Sequence, residues 1–263
     1  MPDVRVNGVR LYYEEHGTGA PILCIHGTSS SALVWRGAAV EALSGLGRAI
    51  IYDRRDCTRS ERPEPYETSV AQHAEDAAAL LTALDASPGV IIGRSYGGGV
   101  AIGLALRHPE LVRALVLLEP GDVVIDGEAA PWEEVMTRAV EETAATDPSR
   151  VTEAMYRSVL GDDLWESLPE EWRRMFADNG RAVLAEVRGP RLEVTSDDLA
   201  RISVPTLLLS GEASLPAFRR INERVAAAVT GSRSAMVGGG HLIDPGHPEV
   251  MRFVREVVGS PVA

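Results

Sequence analysis

Lysine is absent from the 263-residue sequence, and cysteine is nearly so, with only Cys24 and Cys57. The 26 basic residues are therefore all arginines. The sequence has 38 acidic residues, so its formal charge is −12, and no run of basic residues is longer than a pair. Because nucleic-acid binding needs clustered cations for phosphate contacts, this composition argues against a nucleic-acid partner. Two cysteines are also too few for a disulfide framework.

Long hydrophobic runs are missing too. No apolar stretch approaches the length of about 18 residues that a membrane-spanning helix needs, and the first residues do not form an apolar secretion segment. We therefore expect a cytoplasmic protein with no membrane partner. Hydrophobic residues make up 45% and charged residues 24%, a balance typical of folded globular chains.

Short apolar runs without polar alternation recur along the chain, as in parallel strands covered on both faces. These runs cover residues 21–25, 49–52, 90–92, 114–118, 206–209 and 234–237. Amphipathic or small apolar segments separate them and predict helices over residues 69–84, 97–107, 218–229 and 248–258. This alternation predicts an α/β protein with a doubly wound, mostly parallel sheet. An Asn7-Gly8 turn near the amino terminus predicts an antiparallel hairpin at one sheet edge.

The alternation stops between residues 122 and 198, where no strand-like run is found. Helical patterns cover residues 132–144, 150–160 and 170–187 instead. We interpret residues 122–198 as a helical cap inserted into a core formed by residues 1–121 and 199–263.

Gly93-Arg94-Ser95-Tyr96-Gly97 is the strongest functional motif. It follows a predicted strand directly and precedes a predicted helix, the context in which Gly-x-Ser-x-Gly presents a nucleophilic serine on a sharp turn. Glycines at both ends of such a turn avoid clashes with the neighbouring strand and helix. A glycine-rich turn with an incidental serine is the simpler alternative, and the strand–turn–helix context argues against it.

With this motif the chain resembles the α/β-hydrolase family over nearly its whole length. The resemblance includes Cys24-Ile25-His26-Gly27 after an early strand and Gly240-His241 after the last one. It implies that Ser95 is the nucleophile and that His241, which follows the final strand, is the general base. It also implies an oxyanion hole formed by the backbone N–H groups of Thr28 and Tyr96, whereas the His26 side chain is expected to order its loop.

The acid departs from the family's commonest layout, which places an aspartate after the seventh strand at a position held here by Ser214. A second layout has a glutamate after the sixth strand, where Glu119 closes an apolar run and needs a partner such as an imidazole. The chain resembles zearalenone-lactone hydrolases and some haloalkane dehalogenases in this respect. We therefore prefer Glu119, followed by Glu212 and Asp244.

Other candidate sites are less convincing. Arg94 is expected to pair with a buried acid, the alternative being attraction of an anionic substrate. Cys57 lies in a loop, residues 53–60, that should run near the pocket rim, but no histidine is indicated as its partner. His241, Asp244 and His247 lack the spacing of a zinc site. No Gly-x-Gly-x-x-Gly opens a helix after the first core strand, so we expect neither a metal nor a cofactor.

The sequence thus predicts a cofactor-free serine hydrolase that cleaves an apolar small-molecule ester or lactone through an acyl-enzyme. A carbon–carbon bond hydrolase, a perhydrolase or a non-catalytic ligand receptor on the same fold remain alternatives. A dehalogenase or epoxide hydrolase is disfavoured because those families have aspartate where Ser95 stands. A monomer or a homodimer is expected.

Overall fold

A computed structural model describes residues 2–64 and 67–259 of the chain. Its strands are β1 (Asp3–Val6), β2 (Val9–His16), β3 (Pro21–Ile25), β4 (Arg48–Tyr52), β5 (Gly89–Arg94), β6 (Val112–Leu118), β7 (Val123–Ile125), β8 (Leu192–Val194), β9 (Thr206–Gly211) and β10 (Arg233–Val237). Its helices are α1 (Ala38–Ser44), α2 (Val70–Ala83), α3 (Tyr96–Arg107), α4 (Trp132–Thr146), α5 (Val151–Leu160), α6 (Asp162–Ser167), α7 (Glu170–Asp178), α8 (Gly180–Arg188), α9 (Ser196–Leu199), α10 (Pro216–Ala228) and α11 (Pro248–Gly259).

The main sheet has eight strands in the order β1-β2-β4-β3-β5-β6-β9-β10. From β4 to β10 neighbouring strands are parallel, whereas β2 pairs antiparallel with both β1 and β4. The predicted mostly parallel α/β sheet is confirmed, and so is the hairpin at its edge. The predicted strands match the observed ones to within a few residues.

Helices cover both faces of this sheet, because its strands are apolar on both sides. Alternate residues of β3 show the division: Leu23 and Ile25 pack in one hydrophobic cluster with α2, α3 and α10. Ile22 and Cys24 pack in a second cluster with α1 and α11. The parallel strands end together at their carboxyl ends, where the loops after β3, β5, β6 and β10 meet.

The predicted cap region contains helices α4 to α8, as its amphipathic patterns indicated, but differs in two details. The expectation that it has no strands was wrong, because β7 and β8 flank these helices and pair in parallel as a separate two-stranded sheet. The helix predicted over residues 170–187 is two helices, α7 and α8, which meet at Asn179. The predicted boundaries at residues 122 and 198 remain a prediction.

No helix in the described ranges is both long enough and apolar enough to cross a membrane.

Candidate active site

Ser95 lies on a sharp turn between β5 and α3. Its backbone has φ 53° and ψ −124°, a left-handed conformation that is costly for a residue with a side chain. Four backbone hydrogen bonds hold the turn: the Ser95 N–H donates to the Leu118 carbonyl, while the N–H groups of Gly98, Gly99 and Gly121 donate to the Ser95 carbonyl. The strain is thus maintained by the neighbouring strand β6 and by the first turn of α3.

Glycine is required on both sides of the serine. A Cβ atom at Gly97 would lie 2.1 Å from the Ile25 carbonyl oxygen, and one at Gly93 would lie 2.3 Å from the Gly97 carbonyl oxygen. Both distances are far below van der Waals contact with backbone that cannot move independently. The motif therefore has these glycines because the turn brings β3, β5 and α3 into direct backbone contact.

Glu119 and His241 are brought together from distant parts of the chain. Nδ1 of His241 lies 2.7 Å from Oε2 of Glu119, and both side chains are buried. The imidazole also stacks on the Phe218 ring, with 3.9 Å between ring centroids. Since Nδ1 faces the carboxylate, it carries the proton, and Nε2 is left as a proton acceptor. Ser95 and His241 line the same cavity.

Within the described ranges the carboxylate of Glu119 has two further donors, one at the last residue of β9 and one in the loop that follows it. The Gly211 N–H donates to Oε1 at 2.8 Å, and the Ser214 hydroxyl donates to Oε2 at 2.9 Å. Glu119 is fully buried, and these three partners satisfy a charge that would otherwise be costly there. The two alternative acids, Glu212 and Asp244, are exposed, and neither contacts His241 within the described part of the chain.

The loop after β3 carries the predicted oxyanion donor at Thr28. His26 and Arg54 hold this loop through hydrogen bonds to its backbone. Nε2 of His26 accepts a hydrogen bond from the Arg54 N–H, so Nδ1 carries the proton and donates to the Gly27 carbonyl at 2.9 Å. Burial, together with the Arg54 charge, holds the pKa of His26 well below its ordinary value, which keeps the ring neutral. The Arg54 guanidinium in turn donates to the carbonyls of His26 and Gly27.

The predicted oxyanion donors are the backbone N–H groups of Thr28 and Tyr96. Tyr96 is the first residue of α3, where backbone N–H groups have no partner within the helix. Neither N–H has an acceptor among the residues that the structure describes. Thr28 lines the cavity beside Ser95.

Two residues of the predicted cap region hold the same loop, and the sequence pattern did not reveal either. Nδ2 of Asn179 donates to the carbonyls of Ser29 and Ser30, at 2.8 and 3.1 Å. The Glu186 carboxylate pairs with Arg54 at 2.7 Å, in surroundings where both side chains are almost completely buried. The loop is therefore fixed from the core side and from the helical side together.

The cavity at this site has a volume of about 590 Å³, including its mouth. Helices α4 and α5, α10 and the loop after β10 provide its mainly apolar wall. The apolar lining residues are Trp132, Met136, Met155, Val159, Leu160, Phe218 and Leu242. The polar lining residues are Thr28, Ser30, Ser95, Tyr156 and His241, together with the ionisable residues Arg94 and Asp122. An apolar wall with a few polar groups is typical of cavities that bind small molecules.

Asp122 is a site residue that the sequence analysis missed. Its side chain lines the cavity and is 8% exposed. Burial, together with the nearby carboxylates of Glu186 and Glu133, raises its pKa to about 7. The sequence carries no signal for this, since an aspartate after an apolar strand is common and its burial depends on the helices above it.

The expected ion pair of Arg94 was wrong, and the loop 53–60 lies next to the cavity through Arg54 without lining it. Arg94 forms no ion pair with a buried acid in the described ranges, although 94% of its surface is covered. Cys57 is fully buried and does not line the cavity, and neither does any other residue of the loop 53–60. Burial raises the pKa of the Cys57 thiol, so it is an unreactive core group. In residues 2–64 and 67–259 no cluster of three or more His, Cys, Asp or Glu side chains could hold a metal ion.

Comparison with protein families decides the identity of the fold. The model of the family described as "alpha/beta hydrolase fold" matches residues 20–243. The chain belongs to the α/β-hydrolase family. The matched range includes the serine turn, the predicted cap region and His241, so the family resemblance seen in the motifs is confirmed.

Individual relatives of this α/β-hydrolase match it over only part of its length. A 2-hydroxymuconate semialdehyde hydrolase of Pseudomonas putida is 38% identical over 117 residues, which are 44% of this chain and 42% of that protein. A second enzyme of that name, from a Pseudomonas strain, is 32% identical over 130 residues, 48% of this chain and 46% of the relative. The matches thus span less than half the length of these relatives. Among solved structures, a thermophilic esterase from Thermogutta terrifontis superposes with a TM-score of 0.77 at 25% identity and covers 97% of each chain.

Proposed function

We propose that this α/β-hydrolase is a serine hydrolase that cleaves a carboxylic ester or lactone through an acyl-enzyme. The observation that carries the proposal is the 2.7 Å contact between Glu119 and His241, in a cavity that also contains the strained Ser95 turn. A buried base held by a carboxylate beside a serine on such a turn is the arrangement that activates a hydroxyl nucleophile.

In this mechanism Oγ of Ser95 attacks the substrate carbonyl while Nε2 of His241 accepts the hydroxyl proton. Glu119 holds the imidazole in the productive tautomer and stabilises the imidazolium. The N–H groups of Thr28 and Tyr96 bind the negative charge that develops on the carbonyl oxygen. His241 then donates its proton to the leaving alkoxide, which leaves the acyl group on Ser95.

In the second half-reaction His241 removes a proton from water, and the hydroxide attacks the acyl carbonyl. Ser95 leaves as the alcohol and regains its proton from His241. No cofactor takes part in this cycle. The apolar wall formed by α4 and α5 favours a substrate with an apolar acyl or ring portion.

Labelling with a fluorophosphonate, followed by intact-protein mass spectrometry, tests this proposal. The wild type should gain one adduct, and Ser95→Ala should gain none and lose turnover of a p-nitrophenyl ester. Loss of a triad nucleophile typically lowers kcat by about 10⁶. Ser30→Ala is the matched control, because Ser30 lines the same cavity and its variant should still be labelled. An adduct that persists in Ser95→Ala would refute the proposal.

Carbon–carbon bond hydrolysis is a second candidate, because the relatives at 38% and 32% identity carry the name 2-hydroxymuconate semialdehyde hydrolase. It would use the same residues. Comparison of kcat/KM for that semialdehyde and for simple esters and lactones separates the two reactions. A chain that turns over none of these and is not labelled would instead fit a ligand receptor. The cytoplasmic location and the monomeric or homodimeric state remain predictions.

A further inference from the structure

Arg94 is a buried cation in the cavity wall without a carboxylate partner. It directly precedes Ser95 and is 6% exposed, and no acidic side chain pairs with it among the described residues. The one hydrogen bond that its side chain forms within the described ranges is weak: Nη1 donates to the Ile243 carbonyl at 3.4 Å. A guanidinium has five N–H donors, so most of its hydrogen-bonding capacity is unused.

The other buried arginines of the described chain are fully compensated. Arg54 pairs with Glu186 and donates to two carbonyls. Arg55 forms two hydrogen bonds to the Asp76 carboxylate, at 2.5 and 2.8 Å. A buried charge destabilises a fold unless it is paired. Since Arg94 is buried without a paired carboxylate in the described ranges, packing alone does not explain why an arginine is found at this position.

The groups around Arg94 do not supply the missing negative charge. Its guanidinium carbon lies 4.6 Å from the centre of the Trp35 ring, a cation–π contact. The phenol of Tyr156 is neutral, since burial raises its pKa to about 12. Asp244 is the one carboxylate among the described residues whose charge is seen to act on Arg94, but it is exposed and accepts a hydrogen bond from the Gly246 N–H rather than from Arg94. Burial lowers the pKa of Arg94, yet a guanidinium stays protonated in proteins.

Asp122, the acidic side chain in the same cavity lining, forms no ion pair with Arg94 in the described ranges. Burial and the nearby carboxylates of Glu186 and Glu133 raise the pKa of Asp122 to about 7, so near neutral pH it carries only part of a negative charge. The positive charge of Arg94 is available to a ligand.

We propose that Arg94 binds a carboxylate of the substrate, so that the enzyme acts on esters or lactones that also carry a free carboxylate. This inference rests on the proposed hydrolase function and specifies its substrate class. A planar guanidinium matches the two oxygens of a carboxylate, and one cation in an apolar wall fits a monoanion. A phosphate dianion would need a second permanent cation, and Arg94 is the one arginine among the described residues that line this cavity. The remaining apolar surface contacts the rest of the acyl chain.

Two p-nitrophenyl esters of nearly equal shape test the inference: the glutarate monoester, with a free carboxylate, and the glutaramate ester, with a neutral amide. The wild type should show a kcat/KM at least about tenfold higher for the charged ester. Arg94→Met should lower kcat/KM for the charged ester by about 10- to 100-fold, the range for a lost charged hydrogen bond. The amide ester should change by less than about threefold. Arg94→Lys keeps the charge and should retain part of the preference.

The ratio of the two substrates within one protein cancels any general damage to folding. If both esters fall by the same factor in Arg94→Met, or if the wild type does not prefer the charged ester, the inference is wrong even though hydrolysis is established. Binding of monomethyl glutarate, a monoanion, to Ser95→Ala by titration calorimetry gives a second readout without catalysis. Binding that disappears in Ser95→Ala/Arg94→Met supports the carboxylate site even if no ester is hydrolysed, and equal binding by both proteins contradicts it.

Discussion

The Ser214 hydroxyl donates a hydrogen bond to Oε2 of Glu119, the same oxygen that Nδ1 of His241 contacts. Ser214 occupies the position after β9 at which the commoner layout of the family has its acid. Here the side chain at that position donates to Glu119, the proposed acid, which follows β6. Both layouts place a carboxylate beside the proposed base. In this chain the carboxylate follows β6, and a hydrogen-bond donor to it follows β9.

Removal of the Ser214 hydroxyl should weaken the site without abolishing it. Ser214→Ala leaves Glu119 with the Gly211 N–H and His241, and loses a hydrogen bond to a charged group worth about 1.5–3 kcal/mol. We expect kcat for a p-nitrophenyl ester to fall about tenfold. Ser232→Ala is the control, since that hydroxyl donates only to the Ala226 carbonyl. Equal activity of the two variants would show that Ser214 does not support the acid.

Transfer of the acid between the two positions is a related prediction. Glu119→Gln removes the carboxylate at position 119. Ser214→Asp places a carboxylate at a position whose wild-type side chain is already within hydrogen-bond distance of Oε2 of Glu119. The double variant should recover part of the kcat that Glu119→Gln loses. Ser214→Asp alone should be less stable than the wild type, because it places two carboxylates side by side in a buried site. A double variant no more active than Glu119→Gln would contradict this expectation.

The buried pair between Arg54 and Glu186 should matter for stability. Glu186→Gln leaves the Arg54 charge buried without its partner, which typically costs about 3–5 kcal/mol. Glu141→Gln removes the partner of Arg188 in an exposed pair, for which about 0–1 kcal/mol is usual. Denaturant unfolding of both variants measures the difference. Similar losses in the two variants would show that the buried pair contributes no more than a surface one.

Asp122 should make stability depend on pH. Its pKa is about 7 in the folded protein, above the ordinary value of 3.8, so the folded state holds a proton that the unfolded chain has released. Stability against unfolding therefore falls as pH rises from about 4 to 7. Asp56, whose pKa burial also raises to about 7, adds a fall of the same sign.

Asp122→Asn isolates the contribution of Asp122, because Asp56 is common to both proteins. The free energy of unfolding of this variant should fall less between pH 4 and 7 than that of the wild type, by up to about 4 kcal/mol. Denaturant titrations at both pH values give the four energies needed. An unchanged pH dependence would mean that Asp122 ionises in the folded protein as it does in the unfolded chain.

The sheet could be predicted from sequence because a strand buried on both faces must be continuously apolar. The strands β7 and β8 could not, since three residues are too few to show a period. The break at Asn179 was missed because the amphipathic pattern continues through it, although Asn179-Gly180 is the same turn-forming dipeptide that predicted the hairpin at Asn7-Gly8. What the sequence did not show is that the Asn179 amide donates to the carbonyls of Ser29 and Ser30, some 150 residues away in sequence.

The site also has features that the sequence predicts and features that it does not. Ser95, Glu119 and His241 each follow a predicted strand, and the carboxyl ends of parallel strands meet at one edge of the sheet, so their proximity could be expected. The burial of Asp122 and the lone charge of Arg94 depend on which helices cover them. Both were therefore visible only once the packing of α4 and α5 was known.

Comparison of Glu119→Gln with Glu212→Gln tests the central claim most directly. Both changes remove one negative charge with little change of shape, and circular dichroism should show both variants folded. For one ester, kcat of Glu119→Gln should fall by about 10⁴, as triad-acid substitutions do, because His241 loses its orienting partner. Glu212→Gln should lose less than about tenfold. If Glu212→Gln is the more damaged variant, the acid belongs after β9 and the proposed role of Glu119 is wrong.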